Sequence, residues 1–253
     1  MNALRLAPSI RALVLIAVTA CLSSSTTPVI EHGGRPVLFI GNSLTYVNDV
    51  PGIVQSMVDS VGADSLDVQS WTEPDFALID HWSSGRAQTA IQSRKWAFVV
   101  LQQGPSSVEV NRDTLRLATK NFAPLISAAG AKPILYAAWP TVDRQQDFPR
   151  ALESYALAAS DVGGLLAPVS AAWLIVITEH PSIPLYSSDG LHATLAGSYL
   201  AATVIYATIT GKTPVGLPAK IQVRKSWTLS LDPTVARTLQ DAAARAVAAN
   251  ATK

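Results

Sequence analysis

Four apolar residues in a row, Val37-Leu38-Phe39-Ile40, run straight into Gly41-Asn42-Ser43. An unbroken apolar run stopped by a glycine reads as a strand buried on both faces, the mark of a parallel sheet. The pattern recurs at 66–68, 98–101, 134–138 and 165–169, which read as four further strands. Between them the apolar positions widen to helical spacing. A helix is expected from Asn48 or Asp49, with Pro51 in its first turn, to about residue 61. A polar, broken helix covers 76–92. Further helices cover 112–129, stopped by Gly130, 148–162, stopped by Gly163-Gly164, 170–179, 194–210, closed by Gly211, and an alanine-rich 233–249. Residues 180–191 read as a loop. This alternation predicts an α/β fold with a mostly parallel sheet and helices on both faces. The carboxyl ends of such strands share one edge, where ligands collect. Ser43, directly behind the first strand, falls on that edge.

The amino terminus follows another pattern. Arg5 and Arg11 precede an apolar run over 12–20 that is too short to span a bilayer. Basic flank, short apolar run and small residues fit a secretory signal over 1–20. Val18-Thr19-Ala20-Cys21 also resembles the bacterial lipobox, in which the cysteine is lipidated and becomes the new first residue. Cys21 is the only cysteine, so no internal disulfide can form. Acyl chains on Cys21 would contribute about 0.8 kcal/mol per buried methylene to membrane binding. Residues 21–35, rich in Ser, Thr and Gly, then read as a tether, and 36–253 as one domain. The expected location is the bacterial cell envelope, with a membrane as partner through Cys21. Ordinary cleavage after Ala20, with Cys21 incidental, is the alternative.

Composition narrows the function. Of 253 residues, 49% are apolar, ample for one sizeable core. With 19 basic and 18 acidic residues the net charge is +1, and the chain has no electrostatic footprint for nucleic acid. Small basic clusters such as Arg224-Lys225 read as solvated surface. Phosphate loops, His-Glu-x-x-His, Gly-x-Ser-x-Gly and Gly-x-Gly-x-x-Gly do not occur.

Two segments carry chemistry. A serine hydroxyl needs a base to become a nucleophile. Gly41 permits a tight turn before Ser43, whose N–H then points at the site and can bind an oxyanion. The chain has four histidines. His32 lies in the expected tether, and His180 precedes a proline. His81 sits in Asp80-His81-Trp82 and competes for the role of base. His192 has the better context, a loop entering a long helix with Asp189 three residues earlier. That spacing lets a carboxylate bind Nδ1–H and leaves Nε2 for the serine. The blander reading makes Asp189 a helix cap and His192 a surface residue.

Taken together, Gly41-Asn42-Ser43-Leu44 and Asp189-Gly190-Leu191-His192, continuing to Leu200, resemble the SGNH (GDSL-like) hydrolase superfamily. The first is similar to its opening block, with Asn42 where aspartate is usual; the second matches its closing Asp-x-x-His. The resemblance spans about 36–214. It implies a three-layer α/β/α sandwich around a five-stranded parallel sheet, ester hydrolysis, and neither metal nor organic cofactor. By that likeness Ser43 is nucleophile, His192 general base and Asp189 its orienting acid. The middle blocks depart from the family pattern. Around Glu73-Pro74-Asp75 the usual glycine is missing, and Pro74 has no N–H, so Asp75 N–H is the expected oxyanion donor beside Ser43 N–H. At Leu101-Gln102-Gln103-Gly104-Pro105-Ser106 the usual asparagine is replaced; Gln103 is the expected third donor, with Gln102 and Ser106 behind it as substrate contacts. Losing one such donor costs on the order of 100-fold in rate. Trp139, after the fourth strand, is expected to line the site and stack on a sugar, or else to belong to the core or rim.

The leading expectation is an exported serine esterase acting on a small-molecule or glycan ester, such as an O-acetylated or short-acyl carbohydrate, through an acyl-enzyme on Ser43. The altered middle blocks motivate a rival, a noncatalytic envelope binding lipoprotein on the same scaffold. A second rival keeps hydrolysis but pairs Ser43 with Asp80-His81.

Overall fold

Continuous apolar runs become the central sheet. In the computed structural model, which describes Met1 and residues 33–62 and 65–250, β1 (Arg35–Gly41), β2 (Leu66–Thr72), β3 (Phe98–Leu101), β4 (Lys132–Tyr136) and β5 (Leu165–Ala167) are all parallel and lie in the order β2-β1-β3-β4-β5. The expected signal segment beyond Met1, Cys21 and residues 21–32 of the expected tether lie outside the described residues. Arg35, placed at the end of that tether, is the first residue of β1 and pairs with Leu66.

Helices cover both faces, as the α/β pattern predicts. They are α1 (Ser43–Tyr46), α2 (Val50–Ser60), α3 (Leu78–Ser84), α4 (Arg86–Gln92), α5 (Glu109–Ala128), α6 (Phe148–Asp161), α7 (Val169–Glu179), α8 (Leu195–Thr210) and α9 (Pro233–Asn250). Successive strand residues point to opposite faces. Val37 and Phe39 therefore join one core with residues of α2, α7, α8 and α9. Leu38 and Ile40 join the other with residues of α3, α4, α5 and α6. The result is a three-layer α/β/α sandwich. The break in the 76–92 helix falls at Gly85, whose φ of 74° is left-handed and ends α3 before α4 begins.

The chain leaves β1 outward to β2 and returns on the other side to β3. Open α/β sheets form their ligand crevice at such a reversal. Here it lies where β1 ends beside β3, with Ile40 opposite Leu101. Ser43 and the pair Gln102-Gln103 leave the sheet at that point.

One element has no counterpart in the sequence reading. β6 (Lys220–Val223) and β7 (Trp227–Ser230) form an antiparallel hairpin. Its turn uses Arg224 and Lys225 at φ of 45° and 59°, where glycine or asparagine is the usual signal. Arg224 is not merely solvated surface. Its Nε lies 2.5 Å from Oδ2 of Asp49, whose Oδ1 caps α2 by accepting Gly52 N–H at 3.0 Å.

Candidate active site

The turn after β1 is held by side chains. Asn42 caps α1, its Oδ1 accepting Leu44 N–H at 3.1 Å. Its own N–H donates to Gln102 Oε1 at 2.9 Å, and its Nδ2 donates to the Phe76 carbonyl at 3.0 Å. Gln102 Oε1 also accepts from Thr45 Oγ1 at 2.7 Å. A Cβ on residue 41 would lie 2.5 Å from Gln102 Oε1 and 2.6 Å from Thr45 Oγ1. Glycine precedes the Ser43 turn because Gln102 and Thr45 fill the space a side chain would need.

Ser43 opens α1 in the wall of a cleft of about 400 Å³ that Asp75, Gln103, Ser106, Arg144 and Leu191 also line. Among the described residues, neither the Ser43 hydroxyl nor the Ser43 N–H has a hydrogen-bond partner, and the Asp75 N–H has no acceptor. Both amides remain free to receive an oxyanion. Asp75 sits at φ 58° in the turn that leads to α3, and Glu73 N–H donates to the Gly41 carbonyl at 3.1 Å, which brings that turn beside the end of β1.

The 187–192 loop enters from the other side. Asp189 Oδ2 lies 2.6 Å from His192 Nδ1. Asp189 Oδ1 accepts from Leu191 N–H, His192 N–H and the Ser187 hydroxyl, each at 2.9 Å. The hydrogen bond to His192, then those from the loop amides and Ser187, hold the Asp189 carboxyl well below the usual carboxylate range. An ionised Asp189 fixes the proton on Nδ1 and leaves Nε2 as the basic nitrogen. Asp189 does not cap α8: that cap is Thr194, whose Oγ1 accepts Gly197 N–H at 3.2 Å, and Asp189 binds amides within the loop instead.

Several ties set this loop against the Ser43 turn. Leu191, next to His192, shares the cleft with Ser43. Asn48 Nδ2 donates to the Ala193 carbonyl and to Ser198 Oγ, both at 3.0 Å. Tyr136 at the end of β4 donates its hydroxyl to the Leu44 carbonyl at 3.1 Å. Val142 N–H donates to the Gly190 carbonyl at 2.9 Å. Asn48, Tyr136 and Val142 were missed by sequence reasoning, because nothing near them in the chain announces a partner so far away.

Of the three expected substrate contacts, Trp139 and Gln102 are buried away from the cleft and Ser106 lines it. Trp139 is fully buried, with its ring stacked on Trp173 at 3.9 Å and 5°, so it cannot stack on a sugar. Its Nε1–H instead donates to the Leu191 carbonyl at 2.9 Å and supports the His192 loop. Gln102 is fully buried and spends its Nε2 on Asn42 Oδ1 and the Gln103 carbonyl, at 2.9 and 2.6 Å. Ser106 lines the cleft, but its hydroxyl accepts from Gln103 Nε2 at 2.8 Å and donates to the Gly104 carbonyl at 3.1 Å. Gln103, the expected third oxyanion donor, is also engaged. Its Oε1 accepts Leu78 N–H at 3.0 Å, and its Nε2 serves Ser106 and, at a long 3.4 Å, the Asn111 carbonyl. Only that weak contact could be exchanged for a ligand.

His81 is a structural residue. It is fully buried and its Nε2 lies 2.9 Å from the Gly41 carbonyl, which only an N–H can bind; its Nδ1 has no partner. Burial, the largest influence, lowers its pKa against the opposing pull of the Gly41 carbonyl, Glu73 and Asp80. Asp80 faces elsewhere, accepting Ala77 N–H at 2.8 Å. No group of three or more His, Cys, Asp or Glu among the described residues could hold a metal ion.

A three-layer sandwich with a serine behind β1 and an Asp–His pair before its penultimate long helix defines a hydrolase-like α/β scaffold. Solved structures share it. A protein from Slackia heliotrinireducens assigned to the SGNH hydrolases is 26% identical, with a TM-score of 0.58, over 70% of this chain and 99% of that one. A DUF4886 family protein from Bacteroides uniformis superposes with a TM-score of 0.66 at 17% identity, over 85% and 95%. A catalytic mutant of an acetylxylan esterase from Geobacillus stearothermophilus gives 0.53 at 16% identity, over 70% and 94%. No protein-family model and no curated protein matches the sequence. The chain belongs to the SGNH-like superfamily.

Proposed function

We propose that the protein is a serine ester hydrolase, exported and anchored to the cell envelope through Cys21, that cleaves short-acyl esters by way of an acyl-enzyme on Ser43. The observation that carries the reading is the 2.6 Å contact between Asp189 and His192 Nδ1, in a loop that shares its cleft with an unpartnered serine hydroxyl. Ser43 Oγ attacks the ester carbonyl while His192 Nε2 takes its proton. The N–H groups of Ser43 and Asp75 hold the resulting oxyanion. The tetrahedral centre collapses, breaking the bond to the alcohol oxygen, and the alcohol leaves with the proton from His192. Water then attacks the acyl-enzyme while His192 Nε2 takes its proton, and the acid departs from Ser43 as that proton passes to Ser43 Oγ. The esterase fold neighbours, including the acetylxylan esterase, are consistent with this chemistry.

A fluorophosphonate tests the nucleophile directly. The wild-type protein should be labelled and Ser43→Ala should not, and turnover of p-nitrophenyl acetate should fall at least 1,000-fold in both Ser43→Ala and His192→Ala. Equal labelling of wild type and Ser43→Ala, or none of either, would support the noncatalytic binding protein instead.

A further inference from the structure

The cleft wall carries a charged device that the acyl-transfer steps do not use. Arg144, in the turn before α6, lines the cleft with Ser43. Its Nη2 lies 2.5 Å from Oδ2 of Asp147, which is buried and also accepts the Ser107 hydroxyl at 3.1 Å. The Arg144 side chain stays half exposed, and its remaining N–H groups have no acceptor among the described residues. One nitrogen is therefore anchored, and the rest of the planar fork is free to donate.

Charge decides what this fork can receive. Asp75 and Arg144 are the charged residues of the lining, and Asp147 behind Arg144 offsets its charge. An anionic substrate would meet an Asp75 carboxylate with no protein partner and gain little from a neutralised arginine. A hydrocarbon chain would strip water from unpaired N–H groups and from the free Asn111 amide, which also lines the cleft. A neutral polyol suits both signs, because its hydroxyl oxygens accept from Arg144 and its hydroxyl hydrogens donate to Asp75 and Asn111.

We infer that Arg144, fixed by Asp147, binds the alcohol side of the substrate, and that this alcohol is a neutral polyhydroxylated one, such as the sugar of an O-acetylated carbohydrate. The inference rests on the esterase reading and names its substrate class. The burial of Trp139 removes stacking as the basis for sugar recognition, and the Arg144–Asp147 pair supplies another.

The test compares acetylated xylo-oligosaccharide, acetylated galacturonate oligosaccharide and p-nitrophenyl acetate as substrates of wild type and Arg144→Met. For Arg144→Met, KM for the neutral sugar ester should rise about 10-fold or more, the scale of one lost hydrogen bond to a charged group, and the ratio of kcat/KM for that ester to kcat/KM for p-nitrophenyl acetate should fall to match. An unchanged ratio, or a larger loss on the galacturonate ester than on the neutral one, would overturn the inference. Calorimetry on the Ser43→Ala background reads binding without turnover. There Arg144→Met should weaken binding of the neutral ester about 10-fold, and equal affinity would overturn the inference. Loss of p-nitrophenyl acetate turnover in Ser43→Ala tests the esterase reading separately, so the two can fail independently.

Discussion

The carboxamide of Gln102 is bound on every side it offers. Two acceptor contacts hold Asn42 N–H and Thr45 Oγ1, and two donor contacts reach Asn42 Oδ1 and the Gln103 carbonyl. A leucine of similar volume would leave Asn42 N–H and the Thr45 hydroxyl buried without partners, each at a cost of about 1–3 kcal/mol, while Asn42 Oδ1 keeps Leu44 N–H and the Gln103 carbonyl keeps the Tyr155 hydroxyl. Gln102→Leu should therefore lose about 2–5 kcal/mol of stability in urea unfolding, and kcat on p-nitrophenyl acetate should fall with KM little changed, because the Ser43 turn moves while the outer cleft does not. A full-rate, fully stable Gln102→Leu would show that the turn holds itself. The sequence makes Ser43 legible, since a glycine-led turn after an apolar strand needs no distant information. It leaves the role of Gln102 open. Residues 102 and 103 are adjacent and chemically identical, and partners distant in the chain, Asn42 and Thr45 for Gln102 and Leu78 for Gln103, decide which is sealed beneath the turn and which lines the cleft.

At the scale of elements, legibility follows burial. The runs of β1, β3 and β4 could be placed because they are buried on both faces, whereas the edge strand β2 shows only its buried start at 66–68 and then exposes Gln69 and Ser70, so the apolar signal stops before the strand does. The β6–β7 hairpin could not be placed, since its four-residue strands are covered on one face and its turn lacks glycine. The break between α3 and α4 was legible from polarity, and Gly85 supplies its geometry. Trp139 shows the opposite case: its place after β4 was clear, but not the direction of its ring. It stacks on Trp173 from α7 and reaches the loop before α8, so one side chain connects three elements. Trp139→Phe should keep most of the stacking and lose the Leu191 hydrogen bond. The expected outcome is about 1 kcal/mol less stability and a 3- to 30-fold lower kcat, with KM for p-nitrophenyl acetate within about twofold. If KM for a sugar ester rose while kcat held, Trp139 would be a substrate contact after all.

At the scale of the whole molecule, His81 couples proton uptake to the integrity of the fold. It sits in the core on the α3–α6 side of the sheet, its edge against Phe76, and it binds the carbonyl of the last β1 residue. Burial holds its folded pKa below the ordinary value of 6.5. The unfolded chain takes up a proton near pH 6.5, while the folded one must first place an N–H at Nδ1, where no acceptor waits. Between those two pKa values the unfolded state binds more protons, so stability rises with pH through this window and is lost as pH falls. The slope has a ceiling of about 1.4 kcal/mol per pH unit for one such group. His81→Gln can keep a donor toward the Gly41 carbonyl and cannot titrate. It should be less stable than wild type at pH 7.5, where His81 is neutral and well packed, and the gap should close as pH falls from 7 toward 5. The remaining histidines are common to both proteins and cancel in the difference. Urea unfolding at half-unit steps of pH measures that difference; parallel profiles would mean that His81 is protonated as easily inside the fold as outside it. The site shares this fate, because the Gly41 carbonyl also accepts Glu73 N–H and so joins the Ser43 turn to the Asp75 turn. Acid that protonates His81 loosens both proposed oxyanion amides together, and p-nitrophenyl acetate turnover in wild type should fall in the same pH window more steeply than in His81→Gln.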